Sequence, residues 1–443
     1  MTTPSTDSLY PAHLQYVMSA LHVAMAEAGL DALVIEAGRL RMAFQDDQAY
    51  PFRANPWYRW PAAAPAAPGS LFLIRNNELP ELLLVLPQDY WHAPPQLPTA
   101  AWTRHVHVVP LPDAAAALQR ATAFQGKTAW LGESASPRPD WPANPQRLIT
   151  RLELARSCKT GYELQCMRAA SLRGARGHIA AESIFREGGS EFDIHLAFLA
   201  ATRQNEAELP YDNIVALNEH AATLHYQLRD TAPPAQHRSL LIDAGATSAG
   251  YASDITRTWA AAPGDFAALI EGMERLQQQL CSEVRAGVDW RELHLRAHHL
   301  VAQLLGEAGV LQMPAAEAVE LGVSCTFLPH GLGHLLGLQV HDVGAFRSQV
   351  DGEIIPRPAG HPALRLTRRL EPGMVVTVEP GLYFIDSLLD ALRAGPHAGR
   401  VNWKQIDALR PFGGIRIEDD VVVGATAGEN LTRAAFASLA ANQ

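Results

Sequence analysis

Residues 241–258 read Leu-Ile-Asp-Ala-Gly-Ala-Thr-Ser-Ala-Gly-Tyr-Ala-Ser-Asp-Ile-Thr-Arg-Thr. An apolar run over residues 239–242 ends on the carboxylate of Asp243. Gly245, Ser248 and Gly250 then mark a turn-rich segment, and the chain returns through Tyr251 and Ala252 to a second carboxylate, Asp254. The pattern predicts a hairpin with its turn near Ser248 and Ala249. In that register Asp243 and Asp254 face each other, with Cβ atoms about 4.5–5.5 Å apart. Two like charges at that distance repel and raise at least one pKa unless a cation lies between them. Paired metal ions sit about 3.5–4 Å apart, a spacing that one carboxylate from each strand can serve. The plain alternative is an ordinary hairpin with two solvated aspartates, and the remaining segments must decide between the two.

The 443 residues exceed one typical core, so two domains are expected. The composition, 48% hydrophobic and 19% charged, is that of a soluble globular protein. A formal charge of −10 argues against a nucleic-acid partner, which needs a basic stripe, and suits carboxylate sites for cations. Cys158, Cys166, Cys281 and Cys325 form no CxxC pair and no disulfide framework, so free thiols in a reducing compartment are expected. The polar start, Met-Thr-Thr-Pro-Ser-Thr-Asp-Ser, lacks the regions of a signal peptide. No apolar run approaches the roughly 18 residues of a membrane span. A cytoplasmic protein without a membrane partner is the expectation.

Apolar positions at helical spacing over residues 12–29 are followed by strand patterns at 31–35, 70–74 and 81–86. Residues 50–68 are rich in Pro, Ala and aromatics, which predicts a long loop, and long ordered loops are often functional. A strand at 105–109, an Ala-rich helix from 112 to 124 and a strand at 128–131 complete an α/β alternation. A boundary at 157 gives an N-terminal α/β domain, 1–157, and a second, α+β domain, 158–443. In the latter, helices are expected over 159–182, 191–204, 266–283 and 290–307, and strands over 213–217, 374–378 and 414–418.

Residues 327–344 place His330, His334 and His341 within one short glycine-rich stretch. Gly331, Gly333 and Gly337 each weaken a helix by about 1 kcal/mol relative to Ala. The histidines are therefore expected on a loop where backbone approaches a ligand closely. A hydrogen-bonded core histidine is the bland reading of any one of them, but less apt for three together. Residues 375–383 carry an apolar strand into Glu379, and residues 413–421 place Glu418 two positions after Arg416 in an apolar run. A carboxylate in a near-buried strand is costly unless paired or metal-bound, so Glu418 either pairs with Arg416 or binds metal. Asp243, Asp254, Glu379 and Glu418 with an imidazole form a hard, oxygen-rich set that favours Mn2+ over a thiolate-rich zinc site.

The D-x10-D hairpin, HGLGH, VHDVG, TVEPGLYF and GIRIED, in this order, resemble the pita-bread metallopeptidases, closest to the bacterial Xaa-Pro dipeptidase (prolidase) branch. Residues 218–226 and 46–52 extend the similarity over nearly the whole chain. The resemblance implies an N-terminal α/β domain that mediates dimerisation and substrate access, with Asp46, Asp47 and Trp91 as candidates to reach a partner's active site. It implies two divalent metal ions, Mn2+ first, with Co2+ or Zn2+ as alternatives. Asp243 would serve one metal, Asp254 and Glu418 would bridge, and His334 and Glu379 would complete the other. Glu379, His330 and His341 are implied in catalysis, and His225, Arg365 and Arg416 in the substrate pocket.

The implied reaction is hydrolysis of an Xaa-Pro dipeptide by a metal-bridging hydroxide, releasing C-terminal proline, in a homodimer. Imidazole would stabilise the oxyanion, Glu379 would carry the proton to the proline nitrogen, and Arg365 would hold the dipeptide's carboxylate. The alternatives are an aminopeptidase P acting on longer peptides, a side activity on organophosphate triesters, and a metal-free creatinase-like or binding protein.

Overall fold

The structure is a computed structural model that describes residues 6–62, 67–91 and 96–441. The chain divides into two units. One runs to Arg156 and takes in Thr160–Gln165 and Gln349–Asp351; the other holds Ser157–Lys159, Cys166–Ser348 and the chain from Gly352 on.

The first unit is built on a five-stranded mixed sheet, ordered His107–Leu111, Glu81–Val85, Leu71–Arg75, Ala32–Glu36 and Thr128–Leu131. Its two outer pairings are parallel and its two inner ones antiparallel. Ala32–Glu36 is buried at every position, as a strand covered on both faces must be. The Pro-rich segment is less loop-like than its composition predicts. Pro56–Arg59 is a helical turn, capped by the Asn55 side chain accepting from Trp57 N at 3.0 Å. Tyr58 and Trp60 are fully buried there, so the aromatics anchor the segment. Residues 63–66 of it lie outside the described residues.

In the second unit, Thr256–Ala260, Ser239–Asp243 and Ile214–Leu217 form one antiparallel sheet. Val375–Val378, Asp419–Val422 and Glu429–Asn430 form another, and Gly381–Tyr383 pairs with Gly414–Arg416. Helices Asp265–Glu283 and Trp290–Glu307 are amphipathic; Phe266, Leu269, Met273, Leu276 and Leu280 bury one stripe of the first. Asp289 caps the second by accepting from Arg291 N at 3.0 Å. These stripes share one core with Val376, Val378 and Ile415 of the strands and with Ile417 beside them, which makes a stiff floor for the polar residues between the strands.

His178, on helix Gly161–Arg186, is fully buried and donates from Nε2 to the Ala244 carbonyl at 3.0 Å. Burial lowers its pKa to about 3, with Arg257 adding to the effect. Its folded pKa is depressed, so the unfolded chain binds the extra proton below about pH 6.5. The stability it contributes is present above that pH and is lost as pH falls toward about 3. Thermal melts of His178→Gln should show a shallower acid limb than the native chain, by roughly 1.4 kcal/mol per pH unit between those limits. Parallel acid limbs would refute this.

Candidate metal centre

The hairpin turns one residue later than the glycine pattern suggests. Ala249 and Gly250 both have positive φ, 50° and 85°, the two-residue turn that matches strand twist. Thr256, rather than Asp254, therefore lies opposite Asp243. Asp254 sits one diagonal step away on the same face, still within side-chain reach. The error came from Ala249, an unusual residue for a left-handed turn position.

Thr256 is also bridged on its other side by Glu418, whose amide donates to Thr256 O at 3.1 Å. One short segment thus gathers Asp243, Asp254 and Glu418. Glu418 lies in the break between Gly414–Arg416 and Asp419–Val422, not inside one continuous strand. Its Oε2 accepts from Thr256 Oγ1 at 2.7 Å. The Glu418–Arg416 pair considered from sequence is replaced by another: Arg416 Nη2 donates to Asp243 Oδ2 at 2.7 Å.

The histidine loop repeats this geometry against Val375–Val378. His334 N donates to Thr377 Oγ1 at 3.2 Å, Thr377 N to His334 O at 3.0 Å, and Glu379 N to Leu332 O at 2.8 Å. Thr377 is the direct partner of His334, and Glu379 is the diagonal one. A Cβ on Gly333 would collide with the Thr377 carbonyl, which is why this ladder needs glycine there.

Hydrogen bonding separates the three histidines. His334 Nδ1 donates to the Leu335 carbonyl at 3.0 Å, which leaves Nε2 aimed at Asp254 Oδ2, 3.4 Å away, and Glu379 Oε1, 3.6 Å away. His330 Nδ1 donates to the Gly331 carbonyl at 2.8 Å, and its Nε2 accepts from the Tyr383 hydroxyl at 2.8 Å. His341 is exposed, edge-on to His334 with ring centroids 4.5 Å apart. Of the three, only His334 brings a ring nitrogen into a group of ligand atoms within 4.8 Å of one another, together with Asp254 and Glu418. Tyr211 links Asp243 to this group, because its hydroxyl lies 2.7 Å from Asp243 Oδ1 and 2.5 Å from Asp254 Oδ1.

Burial pushes the Glu379 carboxyl up to about 7, with Asp254 and Asp243 adding to the rise and His334 and Arg416 opposing it. Burial, then Asp254 and Glu379, push Glu418 well up. Asp243 is likewise raised by burial, against the pull of Arg416. Burial also works against Asp254, but the His334 ring and Tyr211 hold it below its ordinary value. Four carboxylates are thus crowded together, Asp254 and Glu418 buried and Asp243 and Glu379 only partly exposed. An oxygen-rich, negatively strained set with one imidazole lone pair fits hard divalent cations.

The other expected residues surround this group. Arg416 is buried; its guanidinium donates to Thr256 Oγ1 and to the Tyr383 oxygen as well as to Asp243, so it positions a carboxylate. Arg365 and His225 are exposed. His341 is held neutral, at about 4, by partial burial, His334 and Arg365. Tyr226, next to His225, donates to the buried Glu191 at 2.8 Å, and Glu191 also accepts from the amides of Leu217 and Asp230. Sequence reasoning missed Tyr211, Thr256, Thr377 and Tyr383. Two were marked by the recurring spacing Asp254-x-Thr256 and Thr377-x-Glu379; the tyrosines carried no local signal.

Residues 165–425 match the family model described as metallopeptidase family M24, and residues 8–154 match the one described as Xaa-Pro dipeptidase, N-terminal domain. A protein named Xaa-Pro dipeptidase from Xanthomonas euvesicatoria pv. vesicatoria (strain 85-10) is 47% identical, covering 99% of this chain and 100% of its own length. One of the same name from Stenotrophomonas maltophilia (strain K279a) is 46% identical over 97% of this chain and 98% of its own. Among solved structures, aminopeptidase PepP from Pseudomonas aeruginosa superposes with a TM-score of 0.73 at 22% identity, covering 99% of this chain and 100% of that one. Zn-substituted aminopeptidase P from E. coli, in complex with product, gives 0.72 at 21% identity, with 100% of both chains covered. At such identities the likeness shows the fold, the pita-bread architecture.

Proposed function

The chain belongs to metallopeptidase family M24, in its Xaa-Pro dipeptidase branch, and on that premise we propose that it hydrolyses Xaa-Pro dipeptides, releasing C-terminal proline. The observation that carries this reading is the gathering of Asp254, Glu379 and Glu418 about His334 Nε2, with Asp243 joined to the same group through the Tyr211 hydroxyl. We assign these five as the residues that would hold two divalent ions, with Mn2+ the preferred metal. When bound, such ions supply Lewis acidity and bring the pKa of water toward neutral.

The chain's own residues would do the rest. Glu379 takes a proton from the attacking water and hands it to the proline nitrogen, which must be protonated to leave. His341 presents a neutral imidazole N–H toward the developing oxyanion. Arg416 and Tyr383 hold Asp243 and His330 in place, so that His330 shapes the pocket from a fixed orientation. Arg365, with His225 nearby, receives the substrate carboxylate, which restricts the site to dipeptides. Asp46, Asp47 and Trp91 are exposed, which suits a homodimer in which the first unit meets a second copy. The cytoplasm is the proposed compartment; among the described residues no helix is long and apolar enough to cross a membrane.

The deciding assay compares Gly-Pro with Gly-Pro-Gly-Gly after chelation and after Mn2+ is restored. Gly-Pro turnover should vanish on chelation, return with metal, and exceed that of the longer peptide by roughly 30- to 150-fold, the 2–3 kcal/mol of a charge-assisted hydrogen bond. Preference for the longer peptide would make the chain an aminopeptidase P, and turnover that ignores metal would end the reading.

A further inference from the structure

A second group of metal-ligating side chains stands apart from the carboxylates. His294 and His298 are four residues apart on helix Trp290–Glu307, so they project from one face. His361, from the segment that precedes Arg365, packs against both. The three rings are mutually edge-on, with centroids 4.5–4.7 Å apart. One ring nitrogen from each lies within 4.8 Å of the others. His294 and His298 are each 1% exposed and His361 is half-buried.

Hydrogen bonding leaves this group incomplete. His298 Nδ1 is tied to Ser324 Oγ at 3.0 Å, and its Nε2 is buried with no partner. His294 Nε2 and His361 Nδ1 share one hydrogen bond of 2.9 Å, while His294 Nδ1 is buried without a partner. An unpaired buried polar atom costs about 1–3 kcal/mol, and this small cluster holds two. Burial also keeps the group neutral: His294 is lowered to about 2 and His298 to about 3. A neutral imidazole is the ligand form, and a metal-binding histidine usually anchors its other nitrogen, as Ser324 does for His298.

We propose that His294, His298 and His361 form a third metal site, for a borderline divalent ion of the Zn2+ class. Three imidazoles with no carboxylate suit Zn2+, Ni2+ or Cu2+ and give little to Mn2+, the reverse of the carboxylate centre. Metal–nitrogen bonds of about 2.0–2.1 Å can be reached from the observed separations by small ring movements. His298 Nε2 is the one nitrogen that ring has left to offer. His361 opens the fourth position to solvent. The ion would tie the segment of residues 352–366 to helix Trp290–Glu307, four residues upstream of Arg365. That last consequence rests on the role proposed above for Arg365; the site itself does not.

The test is Zn2+ stoichiometry on the full chain, measured by elemental analysis after saturation and gel filtration. His361→Ala alters a half-exposed ring and should fold; it is expected to hold one Zn2+ fewer per chain than the native protein. His298→Gln, which keeps a polar group against Ser324, should lose the same ion. With Mn2+ alone, all three proteins should hold equal metal and hydrolyse Gly-Pro to within about threefold. Equal Zn2+ in native and His361→Ala protein would overturn the proposal. A loss of Mn2+ in the variants would do so too, since it would place these histidines in the carboxylate centre. Failure of the dipeptidase reading would appear separately, as absent Gly-Pro turnover in the native protein.

Discussion

Glu418→Gln is expected to lower kcat for Gly-Pro by at least about 10³-fold while leaving the metal-free protein as stable as the native chain, or more so. Gln keeps the size of Glu and can still accept from Thr256 Oγ1 through its amide oxygen, so the break between Gly414–Arg416 and Asp419–Val422 need not move. What it removes is one of four crowded carboxylates, at a position where burial, Asp254 and Glu379 all oppose ionisation. If Glu418 holds metal as proposed, its loss forfeits several kcal/mol of charge stabilisation there, and about 4 kcal/mol is a thousandfold in rate. Paired assays check it: Gly-Pro turnover in Mn2+, and the melting temperature after chelation at pH 7.5. Activity within tenfold of native would remove Glu418 from the centre. A large loss of metal-free stability would instead make it a structural residue.

Arg365→Ala is expected to lower kcat/KM for Gly-Pro by roughly 30- to 150-fold, the 2–3 kcal/mol of a charge-assisted hydrogen bond. Arg365 is exposed, so its removal should cost little stability. The same substitution should change turnover of Gly-Pro amide, which lacks the carboxylate, by less than about threefold. Lys at this position should recover little, because an ammonium cannot grip a carboxylate at two points. Equal losses on acid and amide would show that Arg365 acts through the fold and not on the substrate's charge.

Much of the centre was legible because its signals are local. An apolar run that stops on a carboxylate is visible without coordinates, and Asp243, Glu379 and the segment before Glu418 all show it. Glycines between histidines announce close backbone approach, and Gly333 pressed on the Thr377 carbonyl is the physical form of that signal. The details that failed were matters of register. One residue's difference in the turn, at Ala249 and Gly250, moved Asp254 from opposite Asp243 to the diagonal. The spacing Arg416-x-Glu418 suggested one strand face, but two strands with different partners meet there, and Arg416 turns to Asp243 instead.

By itself, then, the sequence determined the two-part α/β and α+β organisation, the hairpin and the long helices, and it marked the carboxylates proposed as ligands. Those features depend on periodicity, turn chemistry and residue type, which act over a few neighbours. Only the tertiary structure decided which histidine offers its nitrogen. His330, His334 and His341 are alike in sequence, and the carbonyl of Leu335 and the hydroxyl of Tyr383 tell two of them apart. It alone brought Tyr211 between two aspartates, set Thr256 and Thr377 as the paired positions that support Glu418 and Glu379, and gathered His361 onto His294 and His298. Such contacts join residues far apart in the chain. Packing selects them, and packing is a property of the folded whole.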